Sequence, residues 1–219
     1  LGGQFLLAGA ISAKKDFKNA VDKMILDVQE SGIEVHLNTV VTKEMLEEIK
    51  PDALIVAIGS SPIVLPIEGN ERTIIAHDVL SEKVEVPGEN VVVIGGGLVG
   101  FETAEFLAAR QKKVTVLEMK EKALQDLGPL RQITAQFAMA QMPITIETSA
   151  VVERIDDKVV VASGKEYPYD SVIMAVGSKA NDTSMYANLG IPTYIVGDCK
   201  KAGIALDAFK DAYHAVLEI

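Results

Sequence analysis

The apolar positions along the chain predict helices and strands in alternation, the order typical of an α/β fold. Apolar residues recur at helical spacing over residues 17–31, and Gly32 follows as a helix stop. Continuous apolar runs, typical of strands covered on both faces, occupy residues 54–58, 91–94 and 114–117. The pattern predicts six further elements: a strand at 33–37, a helix at 44–50 between Thr42 as N-cap and Pro51, a hairpin of 151–155 and 158–162, a strand at 194–196 and a helix at 206–218.

A glycine turn follows the strand predicted at 91–94. Gly95, Gly97 and Gly100 have G-x-G-x-x-G spacing, with Gly96 inside the motif, and a helical pattern begins at once. The first glycine permits a tight turn, the second lets the backbone approach a pyrophosphate, and the third lets the helix lie close to the strand. The N–H groups at the helix start favour phosphate. The motif predicts a dinucleotide site, with a purely structural glycine turn as the alternative.

Glu118 ends the strand predicted at 114–117 and lies 18 positions beyond Gly100. A carboxylate at this distance can accept hydrogen bonds from both hydroxyls of an adenosine ribose, and it would repel a 2′-phosphate. The sequence therefore favours NAD over NADP. Lys120 and Lys122 weaken this preference, because either ammonium could reach an added phosphate.

Composition and charge narrow the classes of partner. The chain has 219 residues and a net charge of −10, which argues against nucleic acid or an anionic membrane surface as partner. No apolar run approaches the roughly 18 residues that span a bilayer. Cys199 is the single cysteine, so the chain contains no disulfide or redox pair of its own, and a reducing, cytoplasmic compartment is expected. With only three scattered histidines besides, no metal site is predicted.

Two distant segments repeat one pattern. PDALIVAIGS at 51–60 corresponds to YDSVIMAVGS at 169–178, and GIEVHLNTVVT at 32–42 corresponds to MPITIETSAVV at 142–152. The repeat predicts two copies of one nucleotide-binding architecture, unless buried strands merely look alike. The second copy opens with the glycine turn, whereas the first lacks a matching βαβ opening of roughly 30 residues. We therefore expect the chain to be a fragment.

These residues resemble the C-terminal part of the NADH:flavin oxidoreductases related to 2,4-dienoyl-CoA reductase and trimethylamine dehydrogenase. The similarity rests on LGGQ at 1, LNTVVT at 37, PDALIVAIGS at 51, AHDVL at 76, NVVVIGGGLVGFETAEFL at 90 and VGDC at 196. The resemblance implies an α/β fold with two Rossmann-like, doubly wound nucleotide-binding domains. An NAD-binding domain at 88–178 would be inserted in a truncated FAD-binding domain made of 1–87 and 179–219.

The resemblance also implies which residues contact the cofactors. Asp198, unless it is only a strand-end turn residue, would bind the ribityl chain of FAD, and the Val41 backbone would meet the adenine. Gly59 and Ser60 would cover the cofactor. Together the FAD contacts would be Gly2, Gly3, Val41, Gly59, Ser60, Gly197 and Asp198.

On the NAD(H) side, Glu102 matches a carboxylate that contacts the nicotinamide end, unless it is an ordinary solvated helix carboxylate. The NAD contacts would be Gly95, Gly96, Gly97, Gly100, Glu102, Glu118 and Gly177. No catalytic side chain is predicted, because the flavin carries the chemistry.

The function that the resemblance implies is electron input from NADH. Hydride would pass from NADH to FAD, and electrons would continue to an upstream barrel domain that holds FMN and usually an iron–sulfur cluster. The fragment alone is expected to be inactive. Two alternatives stay open: a non-catalytic ADP-binding module, as in trimethylamine dehydrogenase, and part of a stand-alone NADH oxidase.

Overall fold

Residues 1–11, 14–125 and 127–219 are described by the computed structural model, and they divide into two units. Unit one comprises Leu1, Ile25–Ser61 and Ser178–Ile219. Unit two comprises Gly2–Met24 and Pro62–Gly177. The chain therefore enters unit two, passes through unit one, returns to unit two and ends in unit one.

Helices and strands alternate over residues 73–147, as the apolar pattern predicts, whereas strands follow one another without an α-helix over residues 144–195. In chain order they are α1 (Lys15–Glu30), α2 (Lys43–Ile49), β1 (Leu54–Val56), β2 (Ser60–Pro62), β3 (Thr73–Ile75), α3 (Ala76–Leu80), β4 (Asn90–Ile94), α4 (Leu98–Ala108), β5 (Lys113–Leu117), α5 (Pro129–Met139), β6 (Ile144–Glu147), β7 (Val152–Ile155), β8 (Val159–Ala162), β9 (Lys165–Pro168), β10 (Ser171–Met174), β11 (Ser178–Ala180), β12 (Thr193–Ile195) and α6 (Ala205–Glu218). Short 3₁₀ helices lie at Gly3–Gly9, Asn70–Arg72, Ser184–Tyr186 and Gly197–Cys199.

Unit two contains a five-stranded parallel sheet in the order β3-β10-β4-β5-β6. Successive residues of the central strand β4 point to opposite faces. Val91 and Val93 pack in a cluster with α3 and α4, whereas Val92 and Ile94 pack in a cluster with the buried residues of β8. The apolar run at 91–94 is thus covered on both faces, as predicted.

An antiparallel meander of β7, β8 and β9 lies in unit two. The predicted hairpin of 151–155 and 158–162 is confirmed by β7 and β8. The third strand, β9, was not predicted, because Lys165, Glu166 and Pro168 make its sequence too polar and irregular to stand out. It pairs along the whole of β8.

Unit one is built on the parallel pair of β1 and β12, with Val56, Tyr186 and Cys199 in its small core. The repeat has a structural counterpart. β1 and β10 occupy corresponding positions of the two copies, and each is followed by a glycine at positive φ, Gly59 at 70° and Gly177 at 102°. The serine after each glycine then begins a new strand, β2 in one copy and β11 in the other, and these strands pair.

The prediction of a strand at 33–37 is wrong. The segment has no regular secondary structure, and the side chains of Ile33 and Leu37 are about 60% exposed. A strand needs a neighbour that takes up its N–H and C=O groups. The corresponding segment of the second copy, β6, has such a neighbour in β5. Among the described residues no strand lies beside 33–37, so apolar alternation alone does not produce one.

Asp170 joins the start of β4 to the loop before β10. Its Oδ2 accepts hydrogen bonds from the Glu89 and Asn90 N–H groups at 2.9 and 2.8 Å. These bonds hold the pKa of Asp170 below its ordinary value, the Asn90 amide contributing most. A carboxyl with a lowered folded-state pKa stabilises the fold above its unfolded pKa of about 3.9, and this stability is lost as the pH falls through the folded value.

We expect Asp170→Asn to lower the free energy of unfolding near neutral pH, with the difference from wild type shrinking below about pH 4. Denaturant titrations of both proteins over this pH range measure it. Asp52→Asn is the matched control, because Asp52 is exposed and has no hydrogen bond within the described residues. A constant difference at every pH would contradict the assignment.

Candidate cofactor-binding sites

The glycine turn between β4 and α4 leaves no room for side chains. A Cβ at Gly100 would lie 1.9 Å from the Gly95 carbonyl oxygen, and one at Gly95, where φ is 106°, would lie 2.4 Å from that of Ala175. A Cβ at Gly96 would lie 2.9 Å from the Glu118 Cβ. Each of these three glycines is therefore required by a close contact within the protein, as expected of a tight turn between a strand and a helix packed on it.

Helix α4 begins without a side-chain cap. Gly97 is the N-cap, and no side chain accepts a hydrogen bond from the first turn. The first N–H groups of a helix have no partner inside it, and they carry the positive end of the helix dipole. The sequence brings these donors beside the glycine turn, where an anionic phosphate would satisfy them.

Glu118 is buried, and its carboxylate contacts the turn directly. Its Oε2 accepts a hydrogen bond from the Gly96 N–H at 2.7 Å, and its Oε1 accepts one from the Lys120 N–H at 2.8 Å. The structure thus brings together two residues that the sequence predicts for one site. Each carboxylate oxygen has a second lone pair, which could accept a ribose hydroxyl. The bond to the turn itself is a feature that the spacing did not reveal.

The segment after Glu118 also packs on the glycine turn. The Leu124 N–H donates to the Gly96 carbonyl oxygen at 2.9 Å. Ala123 is the next nearest residue to the position of a Cβ at Gly96, after Glu118. Beyond this segment, a cavity of about 470 Å³ lies between α5 and β6, and Lys122 is among its lining residues. Neither contact is predictable from the sequence, because the residues of 121–124 show no periodic pattern.

Glu102 forms a buried ion pair with Lys14. The Glu102 side chain is 8% exposed and that of Lys14 is 14% exposed. The alternative of a solvated helix carboxylate is therefore wrong. Thr103, the next residue of α4, is also inaccessible to solvent. Lys14 lies 88 positions away in sequence, and nothing in its local pattern marks it.

We expect Lys14→Met to lower the free energy of unfolding of unit two by about 1–2 kcal/mol, because it leaves the Glu102 carboxylate buried without its cation. Chemical denaturation of the two proteins measures this loss. The double variant Lys14→Met/Glu102→Gln should recover most of it, since a neutral amide costs less to bury. If the double variant is no more stable than Lys14→Met, the ion pair is not the cause.

Unit one brings together two residues that the resemblance assigns to FAD, Ser60 and Asp198, which are 138 positions apart in sequence. The Ser60 hydroxyl donates to Asp198 Oδ2 at 2.9 Å, and the Gly203 N–H donates to Oδ1 at 3.3 Å. Asp198 lies in the Gly197–Cys199 turn just before α6, where Gly197 has a φ of 66°. Two residues that the resemblance assigns to FAD thus form one hydrogen-bonded cluster.

The remaining predicted contacts lie outside these clusters. Val41 is partly exposed in a segment of unit one that has no regular structure. Gly2 and Gly3 belong to unit two, where Gly2 has a φ of 92° and packs beside Leu6. Around Gly177 there is open space. The roles of these four residues stay predictions.

Cys199 is buried in unit one, and its thiol lies 3.2 Å from the carbonyl oxygens of Val56 and Val196. It packs as a small buried residue that ties the Gly197–Cys199 turn to β1. In residues 1–11, 14–125 and 127–219, no three His, Cys, Asp or Glu side chains are arranged to hold a metal ion. None of the helices in these ranges combines the length and apolarity needed to cross a bilayer.

Comparison with known proteins gives consistent matches. The family model for pyridine nucleotide-disulphide oxidoreductases matches residues 11–208. An NADH oxidase of Thermoanaerobacter brockii is 33% identical and matches 100% of this chain but 36% of its own length. A cinnamate reductase of Clostridium sporogenes is 32% identical over 100% of this chain and 34% of its own length. The chain therefore spans about a third of the length of these relatives.

A solved structure shares the fold across the whole chain. The structure of a 2-naphthoyl-CoA reductase in complex with 2-naphthoyl-CoA superposes with a TM-score of 0.90 at 28% identity. The match covers 100% of this chain and 34% of the reductase chain. The doubly wound α/β fold predicted from the sequence is thereby confirmed.

Proposed function

Because the chain belongs to the pyridine nucleotide-disulphide oxidoreductase family, we propose that it is the NADH-binding, FAD-dependent electron-input region of an NADH:flavin oxidoreductase. One observation carries the proposal: the buried Glu118 carboxylate is bonded to the N–H of Gly96 inside the glycine turn. An acceptor for ribose hydroxyls and donors for a pyrophosphate are thus held side by side in unit two.

The residues of unit two fit a dinucleotide. Gly95, Gly96 and Gly100 are each held by close contacts within the protein, which keep the strand-to-helix turn tight and free of side chains of its own. The start of α4 offers N–H donors to the phosphates, and the Glu118 carboxylate disfavours a 2′-phosphate. We propose NADH as the ligand on these grounds. Glu102, buried with Lys14, is proposed to lie toward the nicotinamide end.

Part of an FAD site is proposed in unit one. The Asp198 carboxylate, oriented by Ser60 and Gly203, offers an acceptor for a ribityl hydroxyl. When bound, FAD would take a hydride from NADH and release electrons one at a time. The chain supplies binding and orientation for this chemistry, and none of its side chains needs to act as an acid, base or nucleophile.

We propose that the intact protein continues upstream with a barrel domain that holds FMN and an iron–sulfur cluster. Two facts support such a domain. The chain covers about a third of the length of its relatives, and these relatives are named as an oxidase and a reductase. A cytoplasmic location belongs to the same proposal. It is supported by a single, buried cysteine, which suits a reducing compartment.

Calorimetric titration of the 219-residue chain with NADH, NADPH and ADP tests the proposal. We expect NADH to bind more tightly than NADPH, and more tightly than ADP, which lacks the nicotinamide. Glu166→Gln should bind NADH as wild type does, because Glu166 is exposed on β9. Equal binding of ADP and NADH would favour the non-catalytic nucleotide module. Tighter binding of NADPH, or no binding of NADH, would overturn the assignment.

A further inference from the structure

We propose that Asp211, on α6, is a positioning residue of the flavin site, because it holds the turn that carries Asp198. This inference rests on the proposed function, and it concerns a residue that neither the motifs nor the resemblance singles out. Asp211 lies 13 positions beyond Asp198 in unit one, on the helix that follows the turn.

The Asp211 carboxylate bonds the first residue of the Gly197–Cys199 turn and the side chain of the lysine that follows the turn. Its Oδ2 accepts a hydrogen bond from the Gly197 N–H at 3.2 Å, where the turn begins. Its Oδ1 accepts one from Lys200 Nζ at 2.6 Å, at the residue that follows the turn. The Asp211 side chain thus ties the start of the turn to α6. The hydrogen bond from Lys200 keeps the pKa of Asp211 below its ordinary value, and the bond from the Gly197 N–H and the charge of Lys200 act in the same direction.

The turn packs closely against α6. Gly197 has a φ of 66°, and a Cβ there would lie 3.2 Å from the Ala208 Cβ on α6. Ala208 and Asp211 are three residues apart, so they share one face of the helix. The turn therefore packs on this face of α6. Gly197 lies against Ala208, and its N–H group donates to Asp211.

Asp198 receives separate support for its side chain. Ser60 and Gly203 donate to its two oxygens, whereas Asp211 fixes the backbone from which the carboxylate projects. A ligand hydroxyl can be bound tightly only if its acceptor is already in place. Loss of Asp211 would free the turn to move and would therefore weaken the hydrogen bond of Asp198 to a ribityl hydroxyl, although Asp211 itself does not contact the ligand.

The test uses the intact parent protein, stripped of FAD and titrated with it by flavin fluorescence. We expect Asp211→Ala to weaken FAD binding about 10-fold, since it removes both bonds. Lys200→Met removes one bond and should weaken FAD binding less, and Asp211→Asn, which keeps a single acceptor oxygen, should lie between them. NADH affinity of the 219-residue chain should be unchanged in all three variants, because its predicted site lies in unit two.

Tyr194→Phe is the matched control for simple loss of stability. The Tyr194 hydroxyl donates to the Glu218 carbonyl oxygen at the far end of α6, away from the turn. This variant should lose stability without losing FAD affinity. A readout that needs no cofactor is amide hydrogen exchange in the apo chain, where exchange at Gly197 should speed up in Asp211→Ala and not in Tyr194→Phe.

The outcomes separate the two proposals. If wild-type parent protein binds no FAD, the proposed function fails. If it binds FAD and Asp211→Ala binds equally well, the positioning role is overturned, whatever the stability of the variant. The role is also overturned if Tyr194→Phe loses as much FAD affinity as Asp211→Ala. Should Asp211→Ala fail to fold, Asp211→Asn and Lys200→Met give the same decision.

Discussion

Replacing Gly100 by alanine is expected to abolish measurable NADH binding and to destabilise unit two by about 3 kcal/mol or more. The added Cβ would lie 1.9 Å from the Gly95 carbonyl oxygen, which is a backbone atom and cannot rotate away. Either α4 must move off the strand or the turn must open. Both movements displace the N–H groups at the start of α4 from the place where the pyrophosphate would lie.

Calorimetric titration with NADH and urea unfolding of the same samples measure both effects. Gly128→Ala is the matched substitution, because a Cβ at Gly128 has no atom of its surroundings within 4 Å. We expect this control to bind NADH with wild-type affinity. A Gly100→Ala protein that binds NADH normally would show that the close contact of α4 with the turn is not needed for the site.

The glycine turn could be predicted from the sequence because its requirements are local. Gly95 and Gly100 contact each other within six residues, so their spacing in the sequence records the contact itself. The nearness of Glu118 to the turn is also predictable, although its hydrogen bond is not, because β4 and β5 are adjacent parallel strands and Glu118 follows the second of them. Both the close contacts of the glycine turn and the nearness of Glu118 to it follow from such local rules, whereas their role in dinucleotide binding stays a prediction.

Contacts between distant segments could not be predicted. The Lys14 and Glu102 pair joins residues 88 positions apart, and from the sequence alone Glu102 could equally be a solvated helix carboxylate. It is buried in a helix that is covered nearly all round, because Phe101 packs in one apolar cluster and Ala104 in another. The prediction of a strand at 33–37 fails for a related reason, because apolar alternation within a segment does not show whether a neighbouring strand is present.

The repeat gave information that single motifs could not. Matching the two copies predicted that β1 and β10 are equivalent, and the structure places a glycine at positive φ and a new strand after each. The comparison also locates Ser60, which begins β2, as the counterpart of Ser178, which begins β11. Of these two serines, Ser60 bonds an aspartate and Ser178 bonds none among the described residues, so the two copies differ at the position that the FAD proposal uses.

Replacing Glu118 by glutamine is expected to weaken NADH binding about 10- to 100-fold. The substitution keeps the shape of the side chain but removes its charge, and the amide nitrogen then faces an N–H donor, that of Gly96 or of Lys120. One hydrogen bond to the turn is lost, and bonds to the ribose hydroxyls become weaker because the acceptor is neutral. NADPH binding should fall less, because a 2′-phosphate no longer meets a negative charge.

The ratio of NADH to NADPH affinity is therefore the decisive measurement, taken by calorimetry with both ligands on both proteins. Glu147→Gln is the matched control, since Glu147 ends the neighbouring strand β6 and its side chain contacts Tyr167 and Lys165 rather than the turn. We expect its ratio to equal that of the wild type. If Glu118→Gln weakens both ligands equally, the carboxylate acts only by holding the turn through Gly96, and the choice between the two cofactors must be made by other residues, of which Lys120 and Lys122 are the nearest cations in sequence.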